Sequence, residues 1–238
     1  MYEKEKYVLL KKLKDHNLID YFTENNAFIC GGAIRSVFAG ERIQDYDVYF
    51  DNSESRDSFN TKMKEPLGDP VFTSENAITY QDEDLTIQVI YSITETITKT
   101  IRNFDYTICM VAYDFRSQKF VFGDRFLQDL ASRQLVYNID GEYPISSLFR
   151  IKKYLARGYK ISGLELIKLA LRINNLNLSD YSVLKEQLMG IDTLLLKDLT
   201  DKLNSPEYAE KEYNFLEFMN MINQTYGDLF ENIFEGKE

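Results

Sequence analysis

Two aspartates, Asp45 and Asp47, stand one residue apart where the chain reads Asp-Tyr-Asp-Val-Tyr-Phe. Residues 46–50 are typical of a β-strand, on which side chains two positions apart point to the same face. Two adjacent carboxylates repel each other unless a cation lies between them. Mg²⁺ prefers oxygen ligands and joins carboxylates to substrate phosphates, so the pair predicts a magnesium site. Asp-X-Asp alone is also typical of an acidic surface turn.

A diglycine, Gly31-Gly32, precedes these aspartates by one short segment. It follows the apolar run 27–30, and the residues after it have the apolar spacing of a helix that Gly40 ends. Glycines let a backbone approach a ligand closely, and a helix N-terminus attracts anions. The segment therefore predicts a phosphate-binding turn, although a diglycine between a strand and a helix is also typical of a tight connection.

The spacing of apolar residues divides the chain into two parts. After residue 146 strand-like runs vanish, and apolar residues recur every three or four positions. We predict an α+β domain over residues 1–140, built on a mixed sheet, and an all-helical domain over residues 141–238. The elements predicted in the first part are helices at 2–16, 33–39, 53–66 and 94–103, and strands at 27–30, 46–50, 71–72, 77–80, 85–91, 106–115 and 119–122.

Composition excludes several classes of protein. The chain has 238 residues, 44% hydrophobic and 28% charged, which is typical of a globular protein. Two cysteines cannot form a disulfide framework, and no Cys/His zinc pattern is present. We saw neither an apolar signal segment nor a run long enough to span a bilayer, and expect a cytoplasmic protein. The net charge is −10, yet residues 141–172 carry seven basic side chains against Glu142 and Glu165.

Together the diglycine and the Asp-X-Asp strand resemble the polymerase-β-like nucleotidyltransferase superfamily. The resemblance is greatest to the head and neck domains of bacterial poly(A) polymerases and CCA-adding tRNA nucleotidyltransferases. That branch has Gly-Gly-X-(Val/Ile)-Arg-Asp followed by Asp-(Ile/Phe)-Asp. The matching residues here are Gly31, Gly32, Ile34, Arg35, Asp45 and Asp47.

Three later stretches match the same family in the same order. Residues 105–114, which begin with Asp105, resemble the family's Asp-Phe-Thr-Ile-Asn-Ala segment. Residues 129–136 resemble the end of its catalytic domain. Residues 149–161, with Arg150 and Lys153, resemble its basic neck helix. The resemblance therefore covers residues 27–161.

The chain also departs from the family pattern. Ser36 replaces an aspartate, and the paired arginines before Asp105 are absent, with Asn103-Phe104 in their place. Gln88 stands where a third acidic residue is common. The Glu-Asp-X-X-Arg motif that selects C and A in the CCA branch is not evident.

The resemblance implies a catalytic site and its ligands. Asp45 and Asp47 would be the catalytic, metal-binding residues, with two Mg²⁺ ions. The nucleoside triphosphate would be ATP or CTP. The nucleotide-binding residues would be Gly31, Gly32, Arg35, Asp105, Arg150 and Lys153.

Three functions remain open from the sequence. The first is transfer of a nucleotide to an RNA 3′ end, in tRNA repair or tailing, which the basic neck favours. The second is nucleotidyl transfer to a protein or small-molecule acceptor. The third is a nucleotide-binding protein without turnover, which Gln88 and Ser36 suggest.

Overall fold

A computed structural model describes residues 1–74, 76–93, 96–178 and 180–188, together with Leu216 and Asn220. The rest of the predicted helical domain lies outside these residues. The helices are α1 (Glu3–Asp15), α2 (Ile19–Glu24), α3 (Gly32–Ala39), α4 (Ser53–Leu67), α5 (Ile97–Arg102), α6 (Phe126–Ala131), α7 (Pro144–Ala156), α8 (Gly163–Asn174) and α9 (Tyr181–Leu188). The strands are β1 (Phe28–Cys30), β2 (Tyr46–Tyr49), β3 (Phe72–Thr73), β4 (Ala77–Asp82), β5 (Leu85–Ile90), β6 (Val111–Asp114), β7 (Lys119–Phe122), β8 (Gln134–Leu135) and β9 (Lys160–Ile161).

A seven-stranded mixed sheet organises the first part of the chain. Its strand order is β3-β4-β5-β2-β1-β6-β7, with β2 and β5 parallel and the other neighbours antiparallel. Burial alternates along β2, where Tyr46 and Val48 are buried while Asp47 and Tyr49 are half-buried. The predicted α+β class with a mixed sheet is therefore confirmed.

Helices cover both faces of this sheet. On one face, α1 buries Leu9 and Leu13, and the Tyr46 hydroxyl donates a hydrogen bond to the Leu9 carbonyl at 3.0 Å. On the other face, Ile101 of α5 packs in a cluster with Phe28 and Cys30. Burial on both faces is complete in β1 and β6, all of whose residues are buried, whereas burial alternates along β2 and β5.

The prediction of a single strand over residues 106–115 is wrong. Tyr106 makes an isolated bridge with Tyr137, a 3₁₀ turn covers Thr107–Cys109, and only Val111–Asp114 pairs as β6. The Met110 amide donates to the Thr107 carbonyl within the turn, and the Thr107 amide donates to the Val136 carbonyl, each at 3.1 Å. Helices α2 and α6 and the short strands β8 and β9 were also absent from the sequence-based prediction.

The chain forms two compact units, of which the first is discontinuous. It comprises Met1–Glu142 and Arg157–Glu165, and the second comprises Tyr143–Ala156 and Leu166–Glu238. In the first unit β9 pairs in parallel with β8, and the Tyr137 amide donates to a Glu165 carboxylate oxygen at 2.8 Å. In the second unit the Ser146 hydroxyl donates to the Gln187 carbonyl at 2.8 Å. The predicted division at residue 140 stays a prediction.

Among the described residues, no helix combines the length and the apolar character needed to cross a membrane.

Candidate nucleotidyltransferase site

Strand pairing brings the diglycine and the two aspartates to the same end of two neighbouring strands. β1 and β2 are antiparallel, with Cys30 opposite Asp47. Gly31 follows β1 directly, and Asp45 directly precedes β2. Asp45 and Asp47 are both half-buried, and Asp47 lies within β2 while Asp45 lies in the loop immediately before it. The fold thus places the backbone of both aspartates next to the diglycine turn.

The two glycines occupy different environments. Gly31 has a φ of 72°, and its amide donates to the Val111 carbonyl at 2.9 Å. A Cβ on Gly31 would lie 2.6 Å from Cε1 of Phe104, whereas a Cβ on Gly32 would meet no atom within 4 Å. Gly32 begins α3, whose first amides have no intrahelical acceptors. The open amides of the turn therefore begin at Gly32, and the Gly31 amide is used by the protein.

The position beside Asp47 in the sheet is occupied by an amide side chain. In the parallel ladder between β2 and β5, Gln88 is the partner of Asp47. No group of three or more His, Cys, Asp and Glu side chains suited to a metal ion is found in the part of the chain that the structure describes. Mg²⁺ is commonly bound by one or two carboxylates plus substrate phosphates, so Asp45 and Asp47 fit a magnesium site that a nucleotide completes. The Mg²⁺ ion itself and the presence of two ions both stay predictions.

The pKa of the Cys30 thiol is affected by burial and by the charge of Asp47. Burial raises the pKa of the Cys30 thiol well above its usual value, and the negative charge of Asp47 raises that pKa further. The thiol therefore stays protonated and uncharged beside the carboxylate, and it is no competitor as a nucleophile or metal ligand at neutral pH.

Arg35 lies in the interior of the first unit. Its side chain is 2% exposed, and its Nη1 is 2.8 Å from Glu41 Oε2. Its Nη2 donates to the Ser36 hydroxyl at 2.9 Å, so the residue that replaces the family's aspartate binds this arginine. Arg35 also shares a hydrogen bond with the Tyr159 hydroxyl. In the structure the Arg35 guanidinium thus binds other groups of the protein. Its contact with a phosphate stays a prediction.

The remaining predicted nucleotide-binding residues lie in both units. Asp105 is buried in the first unit, and its carbonyl accepts a hydrogen bond from the Asn138 amide at 2.7 Å. Arg150 and Lys153 belong to α7, in the second unit. Their spacing of three residues places them on one face of that helix. Their contacts with a nucleotide stay predictions.

Sequence reasoning missed two residues next to the diglycine and the Asp45 loop. Phe104 packs against Gly31, and its ring centroid lies 6.3 Å from that of Tyr49. Arg157 lies 3.6 Å from Glu41, an acidic residue between the diglycine and Asp45. The only sequence signal for Phe104 was that it stands where the family has an arginine. Arg157 was noted only as one of the seven basic residues of the segment 141–172.

Comparison with solved structures defines the class of fold. The Thermotoga maritima CCA-adding enzyme complexed with tRNA matches with a TM-score of 0.55 and 16% identity, over 95% of this chain and 59% of that one. A CCA-adding enzyme in complex with ATP matches with a TM-score of 0.56 and 17% identity, over 98% of this chain and 59% of that one. The chain therefore has the fold of the CCA-adding enzymes, the group to which its sequence motifs showed the greatest resemblance.

Sequence comparison then assigns the family. Residues 1–133 match the model of the Gabija anti-defense 2 (Gad2) family, and the chain belongs to that family. The protein "Gabija anti-defense 2" of Bacillus phage SPbetaL7 is 30% identical over 244 residues, covering 96% of this chain. The chain spans 59% of the length of that relative.

Proposed function

We propose that this protein is a Mg²⁺-dependent nucleotidyltransferase that transfers a nucleoside monophosphate from ATP or CTP to an acceptor hydroxyl. The observation that supports this most directly is the pairing of β1 with β2, which sets Asp45 and Asp47 beside the diglycine turn. A nucleotidyltransferase fold with two carboxylates next to an open helix N-terminus has the donors that a metal-bound triphosphate needs.

The reaction is an in-line displacement at the α-phosphorus. The acceptor oxygen forms a bond to phosphorus, the bond to the pyrophosphate oxygen breaks, and the hydroxyl proton passes to water. Bound Mg²⁺ would neutralise phosphate charge and favour the acceptor oxygen as nucleophile. Asp45 and Asp47 would hold the ion, and the amides from Gly32 onward would donate to phosphate oxygens.

The other predicted residues assist in different ways. Arg150 and Lys153 supply positive charge to the triphosphate, and Asp105 contacts the nucleotide. Arg35 acts from the interior, because its ion pair with Glu41 holds α3 to the segment that leads to Asp45. In this proposal positioning and charge stabilisation supply the catalysis, without a covalent intermediate on the protein.

The acceptor follows from the family. The Gad2 description favours a component of a bacterial defence as the acceptor, either a protein or a small molecule, modified in the cytoplasm of the infected cell. An RNA 3′ end, such as that of tRNA, is the second candidate, because one structural neighbour was solved with tRNA bound. A protein that binds the triphosphate without turnover is the third, suggested by Gln88 beside Asp47.

One labelling experiment tests these possibilities. Purified protein is incubated with Mg²⁺, each α-labelled triphosphate, and either total RNA or lysate of cells that carry the Gabija defence. We expect label on a protein or small molecule, and a loss of at least about 100-fold in Asp45→Asn and Asp47→Asn. Asp69→Asn is the matched control, because the Asp69 side chain is 88% exposed.

Each outcome separates the candidates. Label on RNA would show that the acceptor is RNA and not a component of the defence. Triphosphate binding without any transfer would identify a nucleotide-binding protein. Transfer that persists in Asp45→Asn and Asp47→Asn would overturn the catalytic site.

A further inference from the structure

The loop between α3 and β2 carries Asp45 at its end. Residues 40–45 belong to no helix or strand, so ladder hydrogen bonds do not fix Asp45 as they fix Asp47. Two side chains of this loop reach the same arginine. Gln44 Oε1 accepts a hydrogen bond from Arg157 Nη2 at 3.0 Å, and Glu41 Oε2 lies 3.6 Å from Arg157 Nη1. Arg157 therefore binds the loop at two points, one of them adjacent to Asp45.

Arg157 is itself held by the first unit. Its carbonyl accepts a hydrogen bond from Arg133 Nη1 at 2.8 Å. Three residues later the Lys160 amide donates to the Arg133 carbonyl at 2.8 Å, where β9 begins its pairing with β8. Gly158, between these two contacts, has a φ of 80°, which turns the chain back toward β8. The guanidinium therefore extends from a backbone fixed on both sides.

Glu41 joins this contact to the diglycine helix. The carboxylate that lies near Arg157 also accepts from the buried Arg35 Nη1 at 2.8 Å. Arg35 belongs to α3, the helix that starts at Gly32. A continuous set of polar contacts thus runs from α3 through Glu41 to Arg157 and on to Gln44, next to Asp45.

We propose that Arg157 is a positioning residue that sets the Asp45 carboxylate for Mg²⁺, acting through Gln44 and Glu41. This inference rests on the proposed function, in which Asp45 binds the metal. Groups that orient a metal ligand commonly change metal affinity by about 10–100-fold when removed. Arg157 itself touches neither the metal nor the nucleotide in this role.

The test measures metal binding separately from turnover. Mn²⁺ binding to full-length protein is followed by electron paramagnetic resonance, first without nucleotide and then with a non-hydrolysable ATP analogue. We expect about 10-fold weaker Mn²⁺ binding in Arg157→Gln, and less weakening in Gln44→Leu. Arg116→Gln is the matched control, because Arg116 is 61% exposed and bonded to neither loop residue.

Turnover provides the second measurement. The Mg²⁺ concentration that gives half-maximal nucleotide incorporation is expected to rise about 10-fold in Arg157→Gln. At saturating Mg²⁺ the KM for the triphosphate should stay within about twofold of wild type, since Arg157 does not contact it. A general loss of structure would instead lower kcat at every Mg²⁺ concentration.

The outcomes distinguish this inference from the proposed function. If wild type and Arg116→Gln bind Mn²⁺ and Arg157→Gln binds it equally well, the positioning role is overturned and the proposed function stands. If wild type neither binds Mn²⁺ nor transfers nucleotide, both are overturned. If circular dichroism shows that Arg157→Gln does not fold, the Mn²⁺ affinity of Gln44→Leu is the test, because Gln44 is an exposed loop residue. Wild-type Mn²⁺ affinity in Gln44→Leu would then overturn the positioning role.

Discussion

Gly31 and Gly32 are adjacent, but only Gly31 is required by the fold itself. Its backbone adopts φ 72° and ψ −118°, and a Cβ there would meet Phe104 at 2.6 Å. Gly32 has helical surroundings with open space on the Cβ side. Neither the backbone conformation nor the packing requires glycine at position 32. A glycine there is what we expect if a ligand approaches the backbone closely.

Alanine substitutions should therefore separate stability from binding. We expect Gly31→Ala to lower the free energy of unfolding by about 2 kcal/mol, because of backbone strain and the displaced ring. Gly32→Ala should unfold at the same urea concentration or slightly higher, since alanine restricts the unfolded chain. Its affinity for triphosphate, measured calorimetrically, should fall because the methyl group would occupy the space that the proposed site gives to phosphate. Unchanged affinity in Gly32→Ala would place the phosphates elsewhere.

At this scale the sequence predicted the site partly. The proximity of the diglycine to Asp45 and Asp47 could be predicted, because a strand, a short helix and a second strand leave few ways to connect. The environment of Arg35 could not, because its partner Glu41 is six residues away on a loop whose path depends on tertiary contacts. The residue type gives the charge of a side chain, but it does not identify the group that the side chain will contact in the fold.

At the scale of elements, a buried polar contact determines where β6 begins. The Thr107 hydroxyl donates to Asp129 Oδ2 at 2.7 Å, and Asp129 is 1% exposed. Arg125 donates to both oxygens of the same carboxylate, at 3.1 and 2.7 Å. The 3₁₀ turn at Thr107–Cys109 is thereby joined to α6, and the extended run before β6 is interrupted.

Removing either partner of this contact should destabilise the protein to different extents. Thr107→Val deletes one hydrogen bond while Arg125 still binds the carboxylate, so we expect a loss of about 1–2 kcal/mol. Asp129→Ala leaves the Thr107 hydroxyl unpaired and opens a cavity, so a loss of about 3 kcal/mol or more is expected. Urea unfolding measures both. Equal losses would show that Arg125 contributes nothing to holding the turn.

The strand prediction failed here because Tyr106, Thr107 and Ile108, which precede β6, have high β-propensity. Propensity describes how a side chain fits a half-buried sheet, and the tertiary hydrogen bonds of Thr107 outweigh it. Strands β1, β2, β4, β5 and β7 were predicted at nearly their observed positions, since each is bounded by glycines or polar turns. The two-residue strands β8 and β9 were missed because they are too short to show a period.

At the scale of the whole chain, the first unit contains a segment from later in the sequence. Residues Arg157–Glu165 return to it after α7, and Tyr159 lies there at 3% exposure. The sequence indicated a single change of pattern near residue 140 and no return. A discontinuous unit is hard to predict from periodicity, because its closing segment is too short to show a period.

Buried tyrosines make the stability of the first unit depend on alkaline pH. Burial raises the pKa of Tyr46, Tyr80 and Tyr159 above the usual value of 10.0, and raises that of Tyr113 to about 12. In the unfolded chain these hydroxyls lose their protons near pH 10, whereas the folded protein keeps them protonated to higher pH. The unfolded state therefore binds fewer protons above pH 10, and the free energy of unfolding decreases as pH rises.

Tyr46 should dominate this dependence, because its hydroxyl is buried and donates to the Leu9 carbonyl of α1. We expect the free energy of unfolding, measured with urea between pH 8 and 11.5, to be level up to about pH 10 and then to fall. Tyr46 alone would contribute at most about 1.4 kcal/mol per pH unit. Tyr46→Phe should cost about 1 kcal/mol at pH 8 but show a shallower alkaline decrease. Tyr7→Phe, at a site 59% exposed, is the control and should keep the wild-type slope. A Tyr46→Phe protein with the wild-type slope would show that the alkaline loss of stability arises from other groups.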